Sequence, residues 1–237
     1  MVAGLVGIFI MLPIALNRTA PVSSLSDGAG ATTSVPAQTS SAPPASSAGS
    51  SRILAIGDSY TGGSPQEAQI EAGWPTLLEQ RMPELEIDVA ATEDAGYVTT
   101  AGEPTLSELV ADADLTGVDV VILFGSRFDA PGIADQVGTT ARDVIAAIRE
   151  EAPEAALLVI GPAWPDAVPP AGVRNNRDVI EAAAQAASVP FVDPLRQGWL
   201  SRAPDAVGED GIHLTDAGHT VLADRIQPIV QQALEAR

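Results

Sequence analysis

From Arg52 onward, short apolar runs alternate with longer amphipathic stretches, and this alternation constrains the fold more than any other feature. Short β-branched runs separated by helix-length stretches are typical of parallel strands joined by helical crossovers. The run at 118–124, VDVVILF, is nearly all apolar, as expected for a central strand that is buried on both faces. The sequence therefore predicts an α/β fold of three layers, with helices on both sides of a central parallel sheet of about five strands.

The same pattern gives approximate boundaries for these elements. The predicted strands lie near Arg52–Ile56, Glu86–Ala90, Val118–Phe124, Ala155–Ile160 and Pro190–Val192. The predicted helices lie near Pro65–Arg81, Thr105–Ala111, Ile133–Glu150, Gly172–Ala187 and Thr215–Ala236. Because ligands of open α/β sheets bind at the carboxyl ends of the strands, we expect the functional residues in the loops that follow the strands.

Two segments of different composition precede this domain. Residues 1–18 contain the apolar run Val2–Leu16, which at about 15 residues is shorter than the roughly 20 that a spanning helix needs, so it fits a signal peptide or an N-terminal membrane anchor. Residues 19–51 are rich in Ser, Ala, Thr and Pro and contain one charge, Asp27. Such a segment cannot bury a core, so we expect a disordered spacer before a folded domain at 52–237 and a secreted or membrane-anchored, extracytoplasmic location.

Composition excludes several classes of site and partner. The chain has 31 acidic and 12 basic residues, a net charge of −19 at pH 7, which repels phosphate backbones and makes nucleic acid an unsuitable partner. It contains no Cys, which excludes disulfides, thiolate metal sites and a Cys nucleophile.

Two short segments carry groups that fit nucleophilic catalysis. The first strand ends in GDSYTGG, which places Ser59 on a turn flanked by glycines. Near the C-terminus, the segment DGIHLTDAGH places Asp210 three residues before His213, just ahead of a helix whose N-cap is predicted to be Thr215. One short loop can thus supply a general base and the carboxylate that orients it. A turn of ordinary Gly and Ser residues is the alternative interpretation of the first segment alone.

The chain has only two histidines. His219 falls within the predicted C-terminal helix, where we expect it to be packed or exposed and not catalytic. A catalytic zinc site usually needs three protein ligands, and no His cluster exists to form one.

The two segments together resemble the first and last conserved blocks of the SGNH (GDSL) hydrolase family, and Gly73-Trp74-Pro75 is similar to a helix start in its secreted bacterial members. The resemblance covers Arg52 to the C-terminus and implies a flavodoxin-like SGNH fold without metal or organic cofactor. It implies that Ser59 is the nucleophile and the first oxyanion-hole donor, that His213 is the general base, and that Asp210 aligns the base.

The resemblance also locates an oxyanion hole, and here the chain departs from the family pattern. Gly96 in DAGYV is the best match to the family's glycine donor. After the central strand, where the family pattern resembles G-S-R-N-D, the sequence has GSRFD, which places Phe128 at the position of an Asn donor. A Phe ring cannot donate, and the loss of one donor costs about 10²- to 10³-fold in turnover. Ser126 or Arg127 is a hypothetical substitute donor.

The resemblance implies a serine esterase that acts through an acyl-enzyme on Ser59, with O-acyl groups on polysaccharides as one class of substrate. Three alternatives remain open at this stage. The first is a catalytically impaired binding module of the same fold, and the second is an O-acyltransferase that uses the same three residues. The third is a flavodoxin-like binding protein in which the motifs are coincidental.

Overall fold

The computed structural model describes residues 49–63, 73–98, 103–129, 131 and 133–237. The predicted signal peptide or anchor at 1–18 and most of the predicted spacer at 19–51 lie outside the described residues. The end of that spacer is described, and its last residue, Ser51, begins the first strand.

Five parallel strands form one sheet in the order β2-β1-β3-β4-β5. Their bounds are β1 Ser51–Gly57, β2 Leu85–Ala91, β3 Val120–Phe124, β4 Ala156–Ile160 and β5 Phe191–Val192. Each predicted strand is confirmed to within two residues at either end. This strand order is that of a flavodoxin-like sheet, in which the chain reverses direction across the sheet between β1 and β3 and leaves a crevice there.

The helices cover both faces of the sheet. Their bounds are α1 Ser59–Gly62, α2 Gly73–Arg81, α3 Leu106–Asp112, α4 Ala134–Glu151, α5 Ala171–Ala186, α6 Pro194–Gln197 and α7 Asp216–Glu235. Four of the five predicted helices are confirmed to within one residue at each end. The fifth, predicted for 65–81, is confirmed as α2 from Gly73 onward, and its predicted first turns lie among the residues not described. The sequence did not predict the four-residue helices α1 and α6.

Alternating side chains of the strands build a core on each face. On β1, Ile53 and Ala55 pack into the cluster beneath α2 and α7, whereas Leu54 and Ile56 pack into the cluster beneath α3, α4 and α5. All five residues of β3 are buried, as predicted for a strand covered on both sides. Each fully buried aliphatic side chain stabilises such a core by about 1.5–3 kcal/mol.

The register of the sheet brings three loops to one edge. Gly57 at the end of β1 lies opposite Ala91 at the end of β2, and Ile56 lies opposite Leu123 of β3. Because parallel strands end on the same side, the segments after β1, β2 and β3 meet at the crevice between β1 and β3. Within the described part of the chain, no helix combines the length and apolar character needed to cross a membrane.

Candidate active site

The turn that carries Ser59 is held in shape by close packing around Gly57. A Cβ atom on Gly57 would lie 2.2 Å from Oγ1 of Thr61 and 2.8 Å from the carbonyl oxygen of Phe124, so no larger residue fits there. The carboxylate of Asp58 caps α1 by accepting the backbone N–H of Tyr60 at 2.9 Å. Ser59 is 3% exposed, and its Oγ atom makes no hydrogen bond to any part of the chain that the structure describes.

The backbone N–H of Ser59 already has a partner in this state. It donates to the carbonyl oxygen of Glu93 at 3.2 Å, which is the long end of the range for such bonds. To donate to an oxyanion as predicted, this N–H must therefore leave the Glu93 carbonyl or be shared between that carbonyl and the oxyanion. The contact also fixes Glu93, in the loop after β2, beside the nucleophile turn.

His213 and Asp210 lie together in the loop before α7. Nδ1 of His213 and Oδ2 of Asp210 are 2.5 Å apart. The second carboxylate oxygen, Oδ1, accepts the backbone N–H groups of Ile212 at 2.8 Å and of His213 at 3.0 Å. One carboxylate therefore fixes both the backbone of this loop and the orientation of its imidazole.

The loop is closed at its base and docked on the start of α7. Its closing contacts are a bridge between Val207 and Leu214 and a hydrogen bond from the N–H of Gly208 to the carbonyl of His213, at 2.9 Å. Thr215 is the N-cap of α7, as predicted, and its hydroxyl accepts the N–H of Gly218 at 3.2 Å. A Cβ atom on Gly218 would lie 2.0 Å from the carbonyl oxygen of Ala206, so only glycine fits at position 218 in the first turn of α7.

The hydrogen bonds to Asp210 determine its charge. The N–H groups of His213 and Ile212, followed by the bond to the His213 side chain, lower the pKa of Asp210 to about 2. At neutral pH this carboxylate is ionised and accepts the proton on Nδ1, which leaves Nε2 of His213 as the nitrogen free to accept a proton. That nitrogen lies 4.0 Å from Oε1 of Glu93.

Contacts around Tyr60 and Glu93 connect the two predicted blocks. Glu93 touches Ser59 through its backbone and lies beside His213 through its side chain. Burial raises the pKa of Tyr60 to about 12; the charge and hydrogen bond of Arg127 oppose this rise, and the charges of Asp58 and Asp210 add to it. The segments that carry Ser59, Asp210 and His213 therefore meet at the same edge of the sheet, although their catalytic roles stay predictions.

Arg127 lies at the position where a substitute oxyanion donor was predicted. Its guanidinium carbon is 4.4 Å from the ring centre of Tyr60 and 4.7 Å from that of Phe128. Nη1 donates to the Tyr60 hydroxyl at 2.5 Å, while Nε is buried and makes no hydrogen bond within the described residues. Oγ of Ser126, the other predicted substitute, accepts the N–H of Phe128 at 2.9 Å, and its own O–H stays available as a donor.

The loop that contains Gly96 is anchored from β3. The carboxylate of Asp129 accepts the N–H of Tyr97 and the N–H of Val98, each at 2.9 Å. The carbonyl of Gly96 accepts the N–H of Leu106 at 2.9 Å. Asp129 is thus an anchor of this loop, and the oxyanion role of Gly96 stays a prediction.

His219 is buried beneath the candidate site. It is fully inaccessible to solvent, and its ring lies so close to Gly73, at the start of α2, that a Cβ atom there would be 2.8 Å from Nδ1. Neither ring nitrogen makes a hydrogen bond within the part of the chain described. Burial lowers its pKa to about 4, opposed by the charge of Asp216, so the ring is neutral at pH 7.

The comparison with known sequences identifies the family. Residues 55–221 match the GDSL-like lipase/acylhydrolase family. The chain is also 37% identical over 190 residues to GDSL lipase Rv0518 of Mycobacterium tuberculosis, a match that covers 77% of this chain and 82% of the relative. The chain belongs to the GDSL-like lipase/acylhydrolase family. This confirms the resemblance on which the site residues were predicted.

Solved structures of a lipase/acylhydrolase and of a carbohydrate esterase share the fold. The lipase/acylhydrolase from Enterococcus faecalis superposes with a TM-score of 0.60 at 18% identity, covering 77% of this chain and 96% of that one. A family two carbohydrate esterase from Clostridium thermocellum, solved with cellohexaose, superposes with a TM-score of 0.59 at 15% identity, covering 78% of this chain and 65% of that one. At these identities the likeness supports the three-layer fold.

Sequence reasoning missed two members of the site. Glu93 carried no signal, because an acidic residue in a loop after a strand is ordinary. Tyr60 stood inside the GDSY motif, but only the structure places its hydroxyl on Arg127. The described residues contain no group of three or more His, Asp or Glu side chains that could hold a metal ion.

Proposed function

We propose that this GDSL-family protein is a serine ester hydrolase with Ser59 as nucleophile, His213 as general base and Asp210 as the residue that orients the base. The observation that carries the proposal is the contact of 2.5 Å between Nδ1 of His213 and Oδ2 of Asp210. Because Asp210 binds Nδ1, the contact leaves Nε2 of His213 available for proton transfer. The loop that carries His213 lies at the same edge of the sheet as the nucleophile turn.

The proposed reaction has two steps. In the first, Oγ of Ser59 attacks the ester carbonyl while its proton moves to Nε2 of His213; the ester C–O bond then breaks, and the alcohol leaves with that proton. In the second, water gives a proton to the same nitrogen and attacks the acyl carbonyl; the bond between that carbonyl and Oγ of Ser59 then breaks, Oγ takes the proton back from Nε2, and the acid is released. Asp210 stays ionised throughout and stabilises the imidazolium that forms in each step.

The unpaired Ser59 hydroxyl is compatible with this mechanism. Catalytic hydrogen bonds are often long or unformed without substrate and tighten in the complex. In this structure Oγ of Ser59 is buried, and the backbone N–H of Ser59 donates to the carbonyl oxygen of Glu93. We expect substrate binding to draw the Ser59 hydroxyl onto Nε2 of His213.

For the oxyanion, we propose Gly96 and Arg127 as donors. Phe128 replaces the family's Asn, and Arg127, the residue before it, holds a cation beside Tyr60 with Nε unpaired within the described residues. A positive charge at this place stabilises a developing negative charge more strongly than an amide does, because a charged donor makes the stronger hydrogen bond.

The substrate class is proposed to be carboxylic esters that include O-acyl groups on polysaccharides. A family two carbohydrate esterase, solved with cellohexaose, shares the fold, and the apolar run with its Ser- and Pro-rich spacer suggests delivery outside the cytoplasm.

Hydrolysis of short-chain 4-nitrophenyl esters and of acetylated xylan by the wild-type protein and by Ser59→Ala tests the proposal. We expect the wild type to release nitrophenol and acetate, and the variant to be at background level with an unchanged melting temperature. Equal activity of both proteins would show that Ser59 is not the nucleophile, and no activity in the wild type would favour a binding module.

A further inference from the structure

We propose that Glu93 is a specificity-determining residue that selects neutral or cationic leaving alcohols over anionic ones. The inference rests on the proposed function and adds the charge of the substrate to it. Its basis is the position of one carboxylate, which no motif of the sequence indicated.

The backbone of Glu93 is fixed at the nucleophile. Its carbonyl oxygen accepts the N–H of Ser59 at 3.2 Å, so the residue cannot move away without breaking a contact of the nucleophile turn. Its side chain reaches toward His213, where Oε1 lies 4.0 Å from Nε2. The carboxylate therefore lies near Nε2 of His213, on a residue whose backbone is fixed to the nucleophile turn.

That nitrogen is the one that delivers a proton to the departing alcohol. Nδ1 is engaged by Asp210 at 2.5 Å, so the leaving oxygen must approach Nε2, and the rest of the alcohol then lies within several ångströms of Glu93. The Glu93 side chain is 48% exposed, so its carboxylate is accessible to a group that approaches Nε2. A negative charge on the alcohol would meet this carboxylate directly.

The other charges near His213 do not cancel the effect. Asp210 binds the opposite side of the imidazole, and Asp58 is buried beneath the turn. The positive charge of Arg127 is held between Tyr60 and Phe128. Two unit charges about 7 Å apart in a medium between protein and water interact strongly enough to change a rate constant about three- to tenfold.

The test uses three acetate esters that differ only in the charge of the phenol that leaves. They are 4-acetoxybenzoate (anionic), its methyl ester (neutral) and 4-acetoxyphenyltrimethylammonium (cationic). The kcat/KM of each is measured for the full-length wild type, for Glu93→Gln, and for Glu154→Gln, which removes an equal charge just before β4, at the opposite edge of the sheet.

In Glu93→Gln we expect the anionic-to-neutral ratio of kcat/KM to rise about three- to tenfold and the cationic-to-neutral ratio to fall. Both changes should shrink in 0.5 M salt, because screening weakens interactions of exposed charges. Glu154→Gln should keep the wild-type ratios. Ratios in Glu93→Gln within twofold of the wild type would overturn the inference while leaving the esterase intact. A wild type that hydrolyses none of the three esters would instead overturn the proposed function, and this inference with it.

Discussion

At the scale of single residues, the candidate site contains two acidic residues that each make two different kinds of contact. Asp210 uses one oxygen to hold the backbone of its loop and the other to hold the His213 ring. Glu93 uses its carbonyl on Ser59 and its carboxylate beside His213. Substitutions that preserve shape but change charge are therefore the most informative, because they separate the chemical role from the structural one.

Asp210→Asn should lower kcat at least 100-fold with little change in KM. The amide nitrogen would face Nδ1 of His213 and favour the tautomer that carries its proton on Nε2, which cannot accept the serine proton; such a change costs about 10⁴-fold in a serine protease. Steady-state kinetics checks this, with Glu209→Gln, the exposed neighbour, as the control. A kcat within threefold of the wild type would exclude Asp210 from the mechanism.

Arg127→Ala should lower kcat about 10- to 1,000-fold, because it removes the charged donor proposed for the oxyanion. Arg127→Lys keeps the charge without the planar guanidinium group and should retain more activity than the alanine variant. Both are measured with a 4-nitrophenyl ester at pH 7, along with melting temperatures. Unchanged turnover in Arg127→Ala would eliminate this residue as a donor.

At the scale of elements, the sequence predicted the strands and helices that have a periodic pattern of apolar residues. The strands and long helices follow from alternating or helical apolar patterns. Their ends agree with the structure to within two residues, apart from the predicted first turns of α2, which lie among the residues not described. The short helices α1 and α6 were missed because four residues contain no period; side-chain caps from Asp58 and Asp193 form them. The predicted strand at 118–124 begins at Val120, because the N–H of Val118 turns back to the carbonyl of Leu115.

The site was predictable only where a motif carries it. Ser59, Asp210 and His213 stand in two recognisable segments, whereas Glu93 becomes a neighbour of His213 only through the pairing of β1 with β2. The complete burial of His219 likewise depends on the packing of α7 against α2. Long-range contacts of this kind leave no local pattern in the sequence.

His219 predicts how acid affects the packing of α7. Its pKa falls from 6.5 in a free chain to about 4, so between these pH values the unfolded state binds a proton at this ring and the folded state does not. The stability that depends on its neutral form is complete above pH 6.5 and is lost as the pH falls toward 4, by about 2 kcal/mol between pH 7 and pH 5. His219→Gln cannot titrate and should not show this loss.

Urea unfolding at the two pH values measures the effect as a difference between the proteins. The free energy of unfolding of the wild type relative to His219→Gln should decrease by about 2 kcal/mol from pH 7 to pH 5. Comparing the two proteins removes the opposing effect of Asp58, whose pKa burial raises to about 6, because both proteins contain it. A difference that does not change with pH would contradict a buried neutral His219.

At the scale of the whole molecule, the elements and the candidate site that the structure describes lie within residues 49–237. Both described core clusters and the described contacts of the site come from this part of the chain. A protein lacking residues 1–48 should therefore fold and hydrolyse a soluble ester with kcat/KM within about twofold of the full chain. Circular dichroism and kinetics check this, and a large loss of either would show that the N-terminal segment contributes to the domain.

The acidic surface is a second property of the molecule as a whole. A net charge of −19 and the carboxylate of Glu93 beside His213 both disfavour anionic substrates. We expect anionic esters to react faster as salt is added, with less change for neutral esters, because screening weakens the repulsion.

Covalent labelling with a fluorophosphonate is the most direct test of whether Ser59 is an activated nucleophile. The reagent phosphonylates a serine only when a base activates it, and mass spectrometry of the digested protein identifies the modified residue. We expect one adduct, on Ser59, in the wild type, with labelling abolished in Ser59→Ala and strongly slowed in Asp210→Asn. Folded wild-type protein that stays unlabelled, or an adduct that persists in Ser59→Ala, would contradict this role of Ser59.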